Sequence, residues 1–371
     1  MKKMTIPLVI VAGARPNFMK VAPLLNALST DQDFAPCLVH TGQHFDDNMS
    51  GQFFRDLGLP DPEYHLGAGG GTHAQQTAEI IKRIEPVLLE RRPRGVIVVG
   101  DVNSTVAAAL VASKMGIAVI HAEAGLRSFD WSMPEEINRI VTDSISQVLL
   151  VTEESGRVNL LREGHPPESI HMVGNLMIDS LRRHLPKARQ SGILTELNVT
   201  AGGFGLVTLH RPANVDDEHQ FAEIVEALRV IAERVPLLWP VHPRTRSRLA
   251  DASIAIPDRI RLLEPLGYVD FLALQAGSFV VLTDSGGIQE ETTVLGVPCL
   301  TLRDNTERPV TVEHGTNRLA GTRKSTILEA WNETLRAPKK SGTPPLWDGE
   351  ARIRCHAVLR EYFLGRTGAA S

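Results

Sequence analysis

Residues 116–127 read Gly116-Ile117-Ala118-Val119-Ile120-His121-Ala122-Glu123-Ala124-Gly125-Leu126-Arg127. The first five form a short apolar run whose β-branched members suit a parallel strand covered on both faces. Glu123 and Arg127 then fall just past its carboxyl end. Pro134-Glu135-Glu136-Ile137-Asn138-Arg139 follows closely, so three carboxylates and two guanidiniums gather beside one apolar strand. In open α/β sheets ligands bind at that edge, because the loops there are free to differ while the strands hold them in place. The competing reading is a surface ion-pair cluster, which is common and stabilises little.

Outward from this stretch, strand, tight loop and helix repeat. Residues 6–12 read as a strand, Gly13-Ala14-Arg15-Pro16-Asn17 as a loop and 18–28 as a helix. Residues 37–41 read as a second strand and 77–90 as a helix with apolar positions three and four apart. Residues 96–99 form a third strand, followed by Gly100-Asp101 and an Ala-rich helix that Gly116 closes. Pro134 opens another helix at its first position, where its missing N–H costs nothing. The rhythm restarts after residue 203. Strands are expected at 204–209, 237–241, 279–283 and 298–302, with helices at 221–234 and from Gly286 through Leu295, where Gly296 caps the chain. Such alternation means doubly wound parallel sheets.

The expected class is therefore α/β, with two Rossmann-like domains facing a central cleft. The first spans 1–185, a polar and weakly patterned linker 186–203, and the second 204–349. The terminal segment 350–371 either finishes the second domain or crosses back onto the first. A length of 371 residues fits two cores of roughly 150 to 200 residues each.

Composition narrows the function classes. The chain is 43% hydrophobic and only 5% aromatic, as expected of a soluble α/β protein. No run approaches the ~18 to 20 apolar residues of a membrane span, and the apolar start lacks a signal-peptide cleavage site, so a cytoplasmic location is expected. Cys37, Cys299 and Cys355 are far apart and show neither metal nor redox spacing. A net charge of −4 with interspersed signs gives no general attraction to nucleic acid or to membranes. Any phosphate recognition must be local.

Asp284-Ser285-Gly286-Gly287 is the clearest phosphate candidate, since two glycines at a strand-to-helix turn let N–H groups approach an anion at the positive end of a helix. Asp and Ser are also favoured caps, so a plain capped turn is the alternative. Glu291, in the first turns of that helix, suits the cis hydroxyls of a ribose. Arg15 and Lys20 stand at the first loop and helix, placed for a diphosphate. Asp101 and Glu123 follow neighbouring strands. Crowding them raises at least one pKa and makes acid–base work near neutral pH possible, although Asp101 would equally serve as a helix cap. His210-Arg211 and His242 lie at strand ends, and Arg308 adds a guanidinium at another. Their spacing does not support a metal site, so no metal is expected, and a His beside an Arg suits phosphate or a leaving-group oxygen better.

Read together, Gly13-Ala14-Arg15-Pro16, Thr41-Gly42-Gln43-His44, Gly100-Asp101, the block from His121 to Arg127, Pro134-Glu135-Glu136-Ile137-Asn138-Arg139, Leu209-His210-Arg211, Pro240-Val241-His242-Pro243, the block from Asp284 to Glu291 and that from Arg303 to Pro309 resemble the non-hydrolysing UDP-N-acetylglucosamine 2-epimerases. The resemblance implies a GT-B-like fold, a UDP-sugar between the domains, usually a homodimer, and no metal or redox cofactor. It implies interconversion of UDP-GlcNAc and UDP-ManNAc by anti elimination of UDP to 2-acetamidoglucal and re-addition with inversion at C2. Asp101, Glu123, Glu135 and His210 would form the catalytic group. Arg15, Lys20, His242, Ser285, Gly286, Gly287, Glu291 and Arg308 would hold the nucleotide, with Glu291 on the ribose.

Two departures follow from the same comparison. His44 is followed by Phe45-Asp46-Asp47 rather than by the Gln-His-Arg-type segment that binds an activating second UDP-GlcNAc in some members. The segments 48–50 and 128–133 resemble relatives acting on UDP-2,3-diacetamido-2,3-dideoxyglucuronic acid. Leu266 replaces a residue that is polar in many members. A retaining glycosyltransferase of the same architecture, a hydrolysing 2-epimerase and a nucleotide-sugar sensor remain rival readings.

Overall fold

The computed structural model describes residues 5–42, 54, 57–241, 243–251, 256–339 and 342–365. The chain divides into two compact units, Met1–Ser180 with Pro345–Ser371, and Leu181–Pro344. Each is a Rossmann-like α/β unit with a parallel sheet.

In the first unit the strands are β1 (Ile6–Ala12), β2 (Phe34–His40), β3 (Tyr64–His65), β4 (Gly95–Val99), β5 (Ala118–Ala124), β6 (Val148–Val151) and β7 (Ile170–Met172). They lie in the order β3-β2-β1-β4-β5-β6-β7. Strand order reverses between β1 and β4, and such a switch point leaves a crevice at the carboxyl edge. β5 extends beyond the expected 116–120 as far as Ala124. Glu123 therefore lies inside the strand rather than past it. The pairing of β5 with β6 slips between Ala122 and Ala124, and Glu123 adopts a left-handed φ of 74°. A bulge of this kind re-aims one side chain, and a left-handed non-glycine residue is strained.

The second unit contains β8 (Gly205–Thr208), β9 (Leu237–Pro240), β10 (Ile260–Leu263), β11 (Val280–Thr283), β12 (Cys299–Thr301) and β13 (Asn317–Leu319), ordered β10-β9-β8-β11-β12-β13. Alternation along these strands feeds two cores. Val207, Leu237, Trp239, Val280 and Leu282 pack with Phe221 and Trp331. Leu206, Leu238 and Val281 pack on the other face with Phe204, Leu272 and Leu274. A parallel sheet is covered on both faces, which is why its strands are apolar at successive positions. The switch point here falls between β8 and β11.

Segment 186–203, read as a linker, is built into this second unit. The helix Leu176–Ala188 runs into it and the short helix Ile193–Glu196 lies within it, with Ala188 and Ile193 buried in the core around Phe204. Its polar look reflects one-sided burial of short elements. The helix Ala351–Leu364 belongs to the first unit and buries Cys355, Leu359 and Phe363 at four-residue spacing. Asp179 accepts the N–H groups of Ala351 and Arg352 at 3.0 and 2.8 Å, capping that helix from another element. His356 and Arg360 pair with Asp31, just past the end of the Arg15–Ser29 helix. All three cysteines are buried and free. No helix among the described residues is long and apolar enough to cross a membrane.

Trp347 anchors the returning segment. It is fully buried, and its Nε1 donates to the carbonyl of Thr152 at 3.0 Å. Trp347→Ala leaves a large cavity and an unsatisfied carbonyl. The expected loss is about 3 to 5 kcal/mol of stability, read as a lower urea midpoint.

Candidate active site

The ends of β4 and β5 present two carboxylates, each matched to its own cation. Glu123 pairs with Lys20 from the Arg15–Ser29 helix, and both are more than nine-tenths buried. Asp101 pairs with Arg139 from the helix Pro134–Ser144 and keeps 29% of its side chain exposed. Each of the two carboxylates expected at neighbouring strand ends thus has a cation of its own. Lys20, expected on a diphosphate, is engaged by Glu123. Gly100 turns the chain between them with φ 70°, and a Cβ there would lie 3.3 Å from Glu123 Oε2. Only glycine serves well at that turn.

Asp101 does not cap the following helix, Asn103–Lys114, whose cap residue is Val102. Asn103 is tied instead to Gln76 at 2.7 Å and to Asn138 at 3.2 Å. Pro134 occupies the first turn of its helix, as expected, and the two glutamates after it part company. Glu136 is buried and accepts from the N–H groups of Ser128 (2.9 Å) and Phe129 (2.8 Å) and from Arg139. These donors hold its carboxyl below the ordinary value despite burial. Glu135 is half-exposed and makes no hydrogen bond or ion pair among the described residues. It is the carboxylate of this helix turn left available for chemistry, at the end where the helix dipole favours negative charge. Arg127 is buried and engaged with Asp143 and Glu163, at 2.7 and 2.6 Å. Arg15 is the first residue of its helix. His242 and the segment from Gln43 to Ser50 lie outside the described residues.

In the second unit Asp284, fully buried at the end of β11, organises the switch point. It accepts the N–H groups of His210 (3.1 Å) and Arg211 (2.9 Å), and its Oδ1 lies 2.9 Å from His210 Nδ1. Those contacts hold its carboxyl below the usual range against the effect of burial. The pairing leaves the other ring nitrogen of a half-exposed His210 for a ligand. A plain capped turn is the alternative to phosphate binding here, and the Asp284 side chain does not form one, since it binds His210 and Arg211 instead. Ser285 is the cap residue, without a side-chain capping bond, and the helix begins at Gly286.

Around that helix start the guanidinium of Arg308 approaches so closely that a Cβ at Gly286 would sit 2.8 Å from its Cζ. The positive end of the helix and a guanidinium therefore converge, an arrangement suited to a phosphate. Arg308 Nε donates to Glu290 at 2.6 Å. Glu307, also buried, faces Arg303 at 2.9 Å, Arg211 at 3.3 Å and Arg308 at 3.4 Å. The surrounding guanidiniums keep it ionised well below the usual range. Glu291 differs. It is enclosed beside Glu290, accepts from Tyr268 Oη at 2.8 Å, and burial pushes its carboxyl up to about 7. Buried Gln275 is close by, and its amide acts on the Glu291 carboxyl together with the Tyr268 hydroxyl. Neither Tyr268 nor Gln275 carries a local pattern that marks it in the sequence, and Glu307 lies in the block from Arg303 to Pro309 without being singled out there. No cluster of three or more His, Cys, Asp or Glu placed to hold a metal occurs among the described residues.

Glu307→Gln strips the arginines of their shared anion, and breaking a buried ion cluster this way is expected to cost about 3 to 5 kcal/mol. The folded-state pKa of Glu307 is depressed, so its contribution is present above the unfolded carboxylate pKa of about 4.3 and is lost as pH falls towards the folded value. Urea unfolding across that range is expected to show a shallower acid limb in E307Q than in the wild type.

A model of the family described as UDP-N-acetylglucosamine 2-epimerase matches residues 26–360. The UDP-N-acetylglucosamine 2-epimerase of Methanocaldococcus jannaschii is 42% identical over 94% of this chain and 98% of its own. The UDP-2,3-diacetamido-2,3-dideoxy-D-glucuronate 2-epimerase of Pseudomonas aeruginosa is 41% identical over 88% of this chain and 91% of its own. A crystal structure of the Methanocaldococcus jannaschii enzyme in complex with UDP-GlcNAc and UDP superposes with a TM-score of 0.90, at 41% identity over 95% of this chain and 99% of that one. The fold class is that of a GT-B-like α/β protein. With a family match over most of its length and a relative 42% identical over 94% of this chain and 98% of its own, the chain belongs to the UDP-N-acetylglucosamine 2-epimerase family.

Proposed function

We propose that this protein interconverts UDP-N-acetylglucosamine and UDP-N-acetylmannosamine by anti elimination of UDP to 2-acetamidoglucal, followed by re-addition with inversion at C2. The observation that carries the reading is the pair of strand ends presenting Asp101 and Glu123, each beside its own cation. Inversion at a C–H centre requires a proton taken from one face and returned on the other. Two separately held carboxyl groups meet that need, and Glu135 is a third. The C2 hydrogen is a weak acid, so departure of UDP must run ahead and build oxocarbenium character. The helix start at Gly286 and Gly287 with Arg308 spreads the charge of the departing phosphate, and His210, oriented by Asp284, donates to its oxygen. Ser285 sits at the same turn, and Arg15, Lys20 and His242 complete the proposed substrate contacts. The same reading makes the enzyme a cytoplasmic homodimer.

A second substrate is favoured by one finding: the relative acting on UDP-2,3-diacetamido-2,3-dideoxy-D-glucuronate is as similar as those named for UDP-GlcNAc. Proton NMR in D₂O, with each sugar nucleotide in turn, separates the readings. UDP-ManNAc forming with deuterium at C2 of both sugars is the expected outcome. Turnover of the diacetamido sugar alone moves the substrate assignment, free ManNAc with UDP indicates hydrolysis, and no turnover of either overturns the epimerase reading.

Glu291 supplies a pH dependence. As a carboxylate it accepts both ribose hydroxyls; protonated, it loses an acceptor. With its pKa near 7, affinity is present above that value and falls as pH drops through it. KM is expected to rise about tenfold from pH ~8 to ~6, and Glu291→Gln to flatten that profile at a higher KM.

A further inference from the structure

Behind the rim where Asp101 and Glu123 stand, a charged cluster is sealed from solvent. His121 and Asp143 are fully buried and Arg127 nearly so. His121 Nδ1 lies 2.6 Å from Asp143 Oδ1, and its Nε2 lies 2.8 Å from the carbonyl oxygen of Gly100. A carbonyl only accepts, so Nε2 donates. The second oxygen of Asp143 accepts the N–H of Gly125 at 3.1 Å and Arg127 Nη2 at 2.7 Å. Arg127 also reaches Glu163 at 2.6 Å.

Stability alone is a poor reason for such a cluster, because apolar residues of equal volume hold a fold as well or better. What the cluster grips is specific. Gly100 carries the peptide oxygen directly before Asp101, Gly125 follows Glu123 by two residues, and His121 precedes it by two. From a neighbouring helix, Asn138 Nδ2 donates to the carbonyl of Asp101 at 2.9 Å. That helix, Pro134–Ser144, also carries Glu135, Arg139 and Asp143. One helix and one strand therefore set the backbone on which all three carboxylates stand.

We propose that His121, held by Asp143, and Asn138 are positioning residues, fixing through the Gly100 and Asp101 carbonyls the loop that presents Asp101. The inference rests on the proposed epimerisation. Neither residue is assigned a contact with substrate, so their loss changes the chemical step and leaves nucleotide binding in the second unit intact.

The test compares His121→Asn, His121→Gln and Asn138→Ala. An Asn amide keeps the Nδ1 position beside Asp143 but falls short of Gly100, whereas a Gln amide reaches the Nε2 position. H121N is expected to lose about 100-fold in kcat with KM and UDP affinity unchanged, the scale of a small misplacement of a catalytic group. H121Q is expected to recover about tenfold of that loss, and N138A to lose about tenfold in kcat at constant KM. Wild-type kcat in a folded H121N, or equal impairment of H121N and H121Q, overturns the proposal. Should H121N fail to fold, N138A decides, and wild-type kcat there overturns it equally. A wild type inert towards both sugar nucleotides overturns the epimerase reading along with the proposal. An active wild type beside an unimpaired H121N overturns only the positioning.

Discussion

A parallel strand buried on both faces has only its ends to offer to solvent. Both sheets obey this constraint: the strands next to each switch point are apolar at every position facing a core, and polar chemistry starts where the last ladder bond is made. Gly100 and Asp101 in one unit, and His210, Asp284 and Ser285 in the other, occupy equivalent places just after strands that flank the reversal of order, and Glu123 stands one strand further out, near the end of β5. The remaining candidate residues come from the helices that those strand ends launch.

Placing charge at such edges means burying part of it, and the protein handles the cost locally. Lys20 answers Glu123, Arg139 answers Asp101 and Glu136, and three arginines answer Glu307. Each pairing lowers the penalty of burial while fixing a side chain's direction. Glu291 stands apart because its neighbours are a phenol and another carboxylate, so burial prevails and its proton is held to about neutral pH. Within one structure, the same residue type is thus kept ionised in one setting and poised to titrate in another.

Much of this was legible in the chain. The period of apolar runs located β1, β4, β8 and β11, proline marked the start of the Pro134–Ser144 helix, and Gly116 and Gly296 marked helix ends with left-handed φ values of 69° and 73°. Short edge strands such as Tyr64–His65 and Asn317–Leu319 were not legible, because two or three residues carry no measurable period. Segment 186–203 looked like a linker for the same reason: elements of one or two turns that bury one side read as polar.

The sequence by itself determined the fold class, the doubling of the Rossmann-like pattern, the family and the set of candidate residues for the proposed site, because these depend on local periodicity and on ordered motifs. The tertiary structure alone decided which partner each residue has. It showed that β5 runs on to a bulge that turns Glu123, that Glu136 is tied down while Glu135 is not, and that Asp284 serves His210 rather than capping a helix. Such pairings join residues 7 to 103 positions apart, and the free energy of a buried charge is set by what lies within a few ångströms of it in space, about which neighbours in sequence carry no information.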